Sequence, residues 1–186
     1  MLRRCLLLLA LLVPLAVPAA DYRVGDRLPA AKGAAKGFRE IQWDDLMPKG
    51  WDPMAAFKGV DLNRLQDSDP KAAELLAKVR IEWDKAPVEP AINGQRVKIP
   101  GFVVPLERKG DEVIEFLLVP YFGACLHAPP PPPNQTIFVM SEKPIKMKDL
   151  AQAVWIEGTI YTQTQQSDLA DAAYTIKLDS IEAYEY

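Results

Sequence analysis

Reactive chemistry in this chain concentrates in Tyr121–Gln135, YFGACLHAPPPPPNQ, which holds the one histidine, His127, and Cys125, one of two cysteines. Cys125 and His127 stand two residues apart. In extended backbone such residues point to the same side, so thiol and imidazole would face one pocket. Thiolate and imidazole together suit zinc or copper. Two ligands do not close a metal site, and completion needs Met, Asp or Glu from elsewhere or from another chain. Met47, Met54, Met140 and Met147 are available, and no spacing selects among them. A second chemistry is a cysteine nucleophile with a histidine base, the arrangement of a cysteine-dependent hydrolase. Two residues along one strand suit it poorly, because the imidazole must swing onto the sulfur, and Asn134 is the one nearby orienting amide. Disulfide exchange lacks its C-x-x-C. The third reading is structural, with Cys125 a small buried hydrophobe and His127 a hydrogen-bonding residue that fixes the loop.

The prolines that follow restrict the backbone. Pro129, Pro130, Pro131, Pro132 and Pro133 are consecutive, and Asn134 and Gln135 come next. Five prolines hold a polyproline II rod of roughly 12–15 Å, at about 3.1 Å per residue. They donate no backbone hydrogen bonds, so the segment is no interior strand. The expectation is a stiff strap across the surface or barrel mouth, with Cys125 and His127 at one end and Asn134 and Gln135 at the other. It serves either as a rigid structural strap or as a ligand for an aromatic groove on a partner.

Around this stretch, composition sets the frame. Residues 1–20 read as an export signal. Arg3 and Arg4 precede an apolar run, Leu6 to Val13, and Ala16, Ala19 and Ala20 supply a small-residue cleavage region after Ala19 or Ala20. An uncleaved anchor is the alternative. Loss of Arg3 and Arg4 lowers the basic count from 22 to 20 against 25 acids, a formal charge near −5. That balance, without a long basic block, argues against nucleic-acid partners. No later apolar run reaches the roughly 20 residues of a membrane helix. Cys5 precedes the apolar run, so it is not placed for lipid attachment, and the processed chain keeps Cys125 with no partner for an intramolecular disulfide. The expected location is periplasmic.

The elements that must position the stretch follow in order. Residues 21–37 lack a sustained period and read as a flexible arm or loosely docked strand. Phe38 to Phe57 brings Ile41, Trp43, Leu46, Trp51 and Met54 beside Pro48, Gly50 and Pro53, which predicts a short strand and helical turns pinning aromatics on the core. Ser68-Asp69-Pro70 starts a helix whose Ala72, Leu75, Leu76, Val79 and Trp83 recur at helical spacing. From Gly94 the texture is strands. Arg96–Leu106 carries a kink at Pro100-Gly101, Glu112–Phe122 returns from a turn at Gly110-Asp111, and Thr136–Met140, Ala153–Thr162 and Ala173–Tyr184 follow. Lys143–Ala153 is assigned a helical turn. The pattern predicts an α+β, mainly β fold. It is a small five-stranded, partly closed barrel like the oligonucleotide/oligosaccharide-binding (OB) fold, with one covering helix and an N-terminal aromatic segment, as a single domain over 38–186. An open sandwich is the alternative.

Two segments carry a family resemblance, IQWDDLMP at Ile41–Pro48 and FLLVPYFGACLHAPPPPPNQ at Phe116–Gln135. With the export leader, they resemble the domain of unknown function 3299 (DUF3299) family of exported or lipid-anchored proteobacterial proteins. The matching residues are Gly123, Cys125, His127, Pro129 to Pro132, Asn134 and Gln135. The resemblance supplies no reaction. It implies residence in the cell envelope and association with ABC-type export systems resembling the macrolide-exporter class, sometimes where metal is limiting. It also implies a lipid-modified cysteine in many relatives, a position this chain lacks. The combined expectation is a non-enzymatic periplasmic accessory protein of an ABC-type transport system. Metal binding or delivery through Cys125 and His127 is the alternative, and an envelope hydrolase ranks last.

Overall fold

The computed structural model describes residues 22–28, 37–55, 58–59, 70–147 and 152–184. The leader at 1–20, Phe57 and the Ser68-Asp69 helix start lie outside them.

The barrel is organised by one long strand with two neighbours. Strand β2 (Arg96–Pro105) pairs antiparallel with β6 (Ala153–Tyr161) over Arg96 to Phe102, then with β4 (Glu112–Val119) over Phe102 to Pro105. The change of partner falls beside Pro100-Gly101, the kink the sequence predicts. Pro100 has no N–H to give a ladder. At Gly101 an added Cβ would lie 2.7 Å from Leu118 Cγ and 2.9 Å from the Val119 carbonyl, so only glycine lets the crossing strands approach. Strands β5 (Ile137–Lys146) and β7 (Tyr174–Ala183) complete the ring. Its order is β2-β6-β7-β5-β4 and back to β2, with β5 and β7 parallel and the other pairs antiparallel. This is a closed five-stranded OB-like barrel, and closure removes the edges that short strands would expose. Two short strands decorate it. β1 (Arg39–Glu40) lies parallel to the start of β2, and β3 (Arg108–Lys109) pairs with β4.

Alternation along the strands sends Val97, Ile99, Phe116, Leu118, Val139, Ile156 and Ile176 into the barrel, where each is fully buried. Such a side chain contributes about 1.5–3 kcal/mol. Ile41, Trp43, Leu46 and Ile92 join that core from the segments before the barrel. The predicted aromatic segment is thus a strand and a 3₁₀ turn, Trp43–Leu46, seated on the barrel. The opposite face of β2 and β4 is apolar as well. Phe102, Val104, Leu117 and Val119 form a second layer, with Phe138 and Tyr184, on the outside of the ring.

Two elements depart from expectation. Of the helical turn expected over Lys143–Ala153, Lys143–Lys146 is not helical: β5 continues through it, with Ile145 opposite Val113 and Lys146 opposite Glu112, and residues 148–151 lie outside the described ones. Pro144 does not end the strand. It sits beyond Met140, where β5 has already parted from β7, so its missing N–H leaves no ladder bond open. The helix α1 (Pro70–Trp83) covers little: Val79 is its one buried residue, and Leu76 and Ile81 are mostly exposed. Trp83 ties its end to the preceding segment by donating Nε1–H to the Pro53 carbonyl at 2.8 Å.

Candidate functional site

The connection from β4 to β5 contains the whole predicted stretch, and it has two halves of opposite character. The first half is a compact turn. Gly123 adopts φ 81° and Cys125 φ 66°, the latter the one non-glycine residue with left-handed φ among the described residues. These conformations wrap the chain around the Gly123 carbonyl, which accepts from the N–H groups of His127 at 2.8 Å and Ala128 at 3.0 Å. The backbone is therefore not extended, and the period-two geometry of a strand does not relate the Cys125 thiol to the His127 imidazole. Cys125 packs half-buried with Tyr121 and Phe122 against the outer apolar layer, whereas His127 is exposed. Burial pushes the Cys125 thiol from its ordinary value near 9 to about 11, so it is protonated at neutral pH. A protonated thiol is a poor nucleophile and a poor ligand. Among the described residues no three His, Cys, Asp or Glu side chains form a group that could hold a metal ion.

Tyr121 hinges the two halves. Its hydroxyl donates to the Pro129 carbonyl at 2.7 Å, and Arg27 lies 5.8 Å over its ring. Burial, then the neighbouring Cys125, raises its phenol, and Arg27 opposes them.

The second half is a fastening. Polyproline geometry ends at Pro132, and Pro133–Gln135 forms a 3₁₀ turn, so the rod is shorter than five residues. Pro131 and Pro132 are buried, flanked on one side by a groove of about 180 Å³ between the end of α1 and Ser167–Asp171. Asn134 and Gln135, expected at the far end of a strap across the surface or barrel mouth, are 0% and 5% exposed. The physical reason is that their amides fasten the turn to carbonyls elsewhere in the fold, while the carbonyls of the proline run, which has no N–H donors of its own, take theirs from Tyr121, Thr136 and Ala173. Asn134 Nδ2 donates to the Pro87 carbonyl at 2.8 Å, and Gln135 Nε2 donates to the Trp43 carbonyl at 2.8 Å. The Ala173 N–H reaches the Pro133 carbonyl at 2.8 Å, and Thr136 Oγ1 reaches that of Pro132 at 3.2 Å. Trp43 in turn donates its indole N–H to Pro100 at 2.8 Å, and Tyr174 donates its hydroxyl to the Leu46 carbonyl while accepting from the Glu89 N–H, both at 2.6 Å. Burial pushes the Tyr174 phenol up to about 12. The barrel, the aromatic segment and the 87–92 connection are stitched together through this turn. Asn134 Oδ1 finds no partner among the described residues.

The turn is also covered from the N-terminal side. The Gly25 N–H donates to the Phe122 carbonyl at 2.8 Å, the Phe122 N–H donates to the Asp26 carbonyl at 2.9 Å, and Tyr22 meets Phe102 edge-on at 4.9 Å. Beside this cover lies a mostly apolar hollow of about 190 Å³, lined by Phe102, Val104, Val119, Phe122, Leu126 and His127. Leu126, at its rim, is 57% exposed. Sequence reasoning located the loop and the Cys–His pair. It missed Tyr121, Trp43 and Tyr174 as polar fasteners; the shortage of donors in a five-proline run was a signal for Tyr121, which reaches the Pro129 carbonyl, and not for Trp43 or Tyr174, which donate to Pro100 and Leu46.

Comparison with known proteins places this geometry. The family model described as "Protein of unknown function (DUF3299)" matches residues 43–183. Among solved structures, the crystal structure of a DUF3299 family protein (PA4066) from Pseudomonas aeruginosa PAO1 at 2.45 Å resolution is similar, with 36% identity and a TM-score of 0.63. The match covers 83% of this chain and 99% of that one. No curated protein matches.

Proposed function

We propose that this chain, which belongs to the DUF3299 family, is a non-enzymatic periplasmic accessory protein that binds a component of an ABC-type envelope transport system. The observation that supports a binding role is the division of the β4–β5 loop. Asn134 and Gln135 spend their amides on internal carbonyls, and Cys125 holds a protonated thiol against apolar neighbours. What faces outward is Leu126, His127 and Pro129, held by the Tyr121 clamp. A rigid loop that presents apolar and aromatic groups is suited to docking, since little side-chain or backbone freedom remains to be lost on association. The export leader and the family resemblance supply the periplasmic compartment and the transport partner.

The test is affinity capture of the tagged chain from detergent-solubilised membranes, alongside a Leu126→Asp/His127→Glu double variant. The expected result is recovery of an ABC-type transporter component by the wild-type chain and its loss with the variant. Identical recoveries by both chains, with no transporter component in either, would overturn the proposal.

A further inference from the structure

The proline half of the β4–β5 loop forms one wall of the groove between the end of α1 and Ser167–Asp171. The inner part of that groove is apolar. Pro131 and Pro132 are buried, and Pro130 and Trp83 half-buried. Trp83 spends its one polar atom on the Pro53 carbonyl, so hydrocarbon is what its side chain has left to offer. The rim is charged: Asp84, Asp168 and Asp171 line it exposed, against one cation, Arg80. Three carboxylates against one guanidinium leave −2 at a single hollow of about 180 Å³, in a chain whose formal charge is −3 over 186 residues. Among the described residues none of the three carboxylates takes an ion pair or a hydrogen bond.

Charge, donor count and size select the occupant. The charge calls for a cation. Among the described residues no three His, Cys, Asp or Glu side chains form a group that could hold a metal ion, so the cation that fits is organic. The acceptors call for an occupant rich in N–H. Tyr121, Thr136 and Ala173 supply the carbonyls of Pro129, Pro132 and Pro133, whereas those of Pro130 and Pro131 accept no hydrogen bond among the described residues. The nearby hydroxyl is spent inside its own loop: Ser167 Oγ donates to the Ala170 carbonyl at 2.6 Å and accepts the Ala170 N–H at 3.1 Å. The volume lies below the roughly 300–1,000 Å³ of small-molecule pockets, and suits a single long side chain.

We propose that this groove takes an arginine side chain carried on an extended segment of a partner protein. A guanidinium has five N–H donors and no acceptor, forks onto carboxylates and stacks on aromatic surface. Its aliphatic stem lies along Trp83 and the prolines while its head stays at the rim with Asp168 and Asp171. The Pro130 and Pro131 carbonyls are then left for the peptide N–H groups of the segment that carries it, which free arginine does not have. The bonds that pin Trp83 and the 167–170 loop mean that little freedom is lost on docking. Neither Leu126 nor His127 lines this groove, so the inference does not rest on the contacts assigned to the transport component.

The test is titration of the purified chain with the capped peptide Ala-Ser-Arg-Ser-Ala, followed by the indole N–H resonance of Trp83, which is assigned by its loss in Trp83→Phe. Parallel titrations use the same peptide with citrulline or lysine in place of arginine, and free L-arginine. The expected result is a saturable shift with the arginine peptide that weakens as salt is raised, and about tenfold weaker binding of the citrulline peptide. Asp168→Asn and Asp171→Asn should each weaken the arginine peptide about threefold, and Arg80→Ala should strengthen it about threefold. Melting temperatures should stay in place, because all three side chains are exposed. No shift, equal binding of the citrulline and arginine peptides, or indifference to all three substitutions would overturn the proposal. So would a lysine peptide held as tightly, which would give the groove to any ammonium, or free L-arginine held as tightly, which would give it to a small molecule. The Leu126→Asp/His127→Glu variant should bind the peptide as the wild-type chain does, so this inference and the transport reading can each fail alone.

Discussion

The two halves of the β4–β5 loop invert what their residue types suggest. The half with reactive side chains, Gly123–Ala128, is chemically quiet: its thiol is half-buried and protonated and its imidazole is exposed. The half with neutral amides, Pro131–Thr136, does the structural work, because its amides donate to the Pro87 and Trp43 carbonyls and its own carbonyls accept from Thr136 and Ala173. Reactivity of a residue type is therefore a weaker guide here than the local balance of donors and acceptors. A cysteine and a histidine two residues apart share a face in extended backbone, and the left-handed φ of Cys125 departs from that geometry.

The contrast yields graded expectations. Tyr174→Phe keeps the ring and removes the hydroxyl that joins Leu46 to Glu89, leaving a carbonyl and an N–H without their partner. It should cost about 2–3 kcal/mol in urea unfolding. A cost below about 0.5 kcal/mol would break the claim that these polar fasteners hold the aromatic segment on the barrel. Asn134→Ala should cost less, about 1 kcal/mol, because removing Oδ1, a buried atom with no described partner, offsets the lost bond to Pro87. A loss as large as that of Tyr174→Phe would show that Oδ1 has a partner after all.

On the quiet half, Cys125 should react with a thiol reagent about a hundredfold more slowly in the native state than in denaturant at pH 8, given its rise from near 9 to about 11. Its reactivity should climb as pH approaches 11. The sign for stability follows. A folded value above the unfolded one means that this group's contribution is fully present below pH 9 and is lost as pH rises through 11. In Cys125→Ala that pH-dependent loss should disappear. Native reactivity equal to that in denaturant would contradict the protonated, half-buried thiol.

Much of the barrel was legible before the structure. Alternation marked the start of β2 and β7, turn signals and strand texture located β4, the start of β5 and β6, and Pro100-Gly101 marked a kink in β2, where the strand changes neighbours. Closure is a property of pairing and not of pattern, so the partner change at Phe102 and the parallel meeting of β5 with β7 lay beyond periodicity. The extent of β5 was missed because its register with β4 shifts beyond Met140, where β7 no longer pairs and Pro144 leaves no ladder bond open, before pairing resumes at Ile145. The candidate loop was legible as a location only. Asn134 and Gln135 read as surface residues by type, and their burial depends on carbonyls of Pro87 and Trp43 that lie far away in sequence. The turn at Gly123 was hidden for another reason: nothing about Cys125 as a residue type announces positive φ, which is ordinarily left to glycine or asparagine.

The division of the loop is tested most directly by urea unfolding of Gln135→Ala and His127→Ala side by side. Gln135→Ala removes a 5%-exposed side chain and the donor to the Trp43 carbonyl. His127→Ala removes an exposed ring. A loss of about 2–3 kcal/mol for Gln135→Ala, against less than about 0.5 kcal/mol for His127→Ala, is the predicted result. Equal losses, or a larger one at His127, would contradict the account.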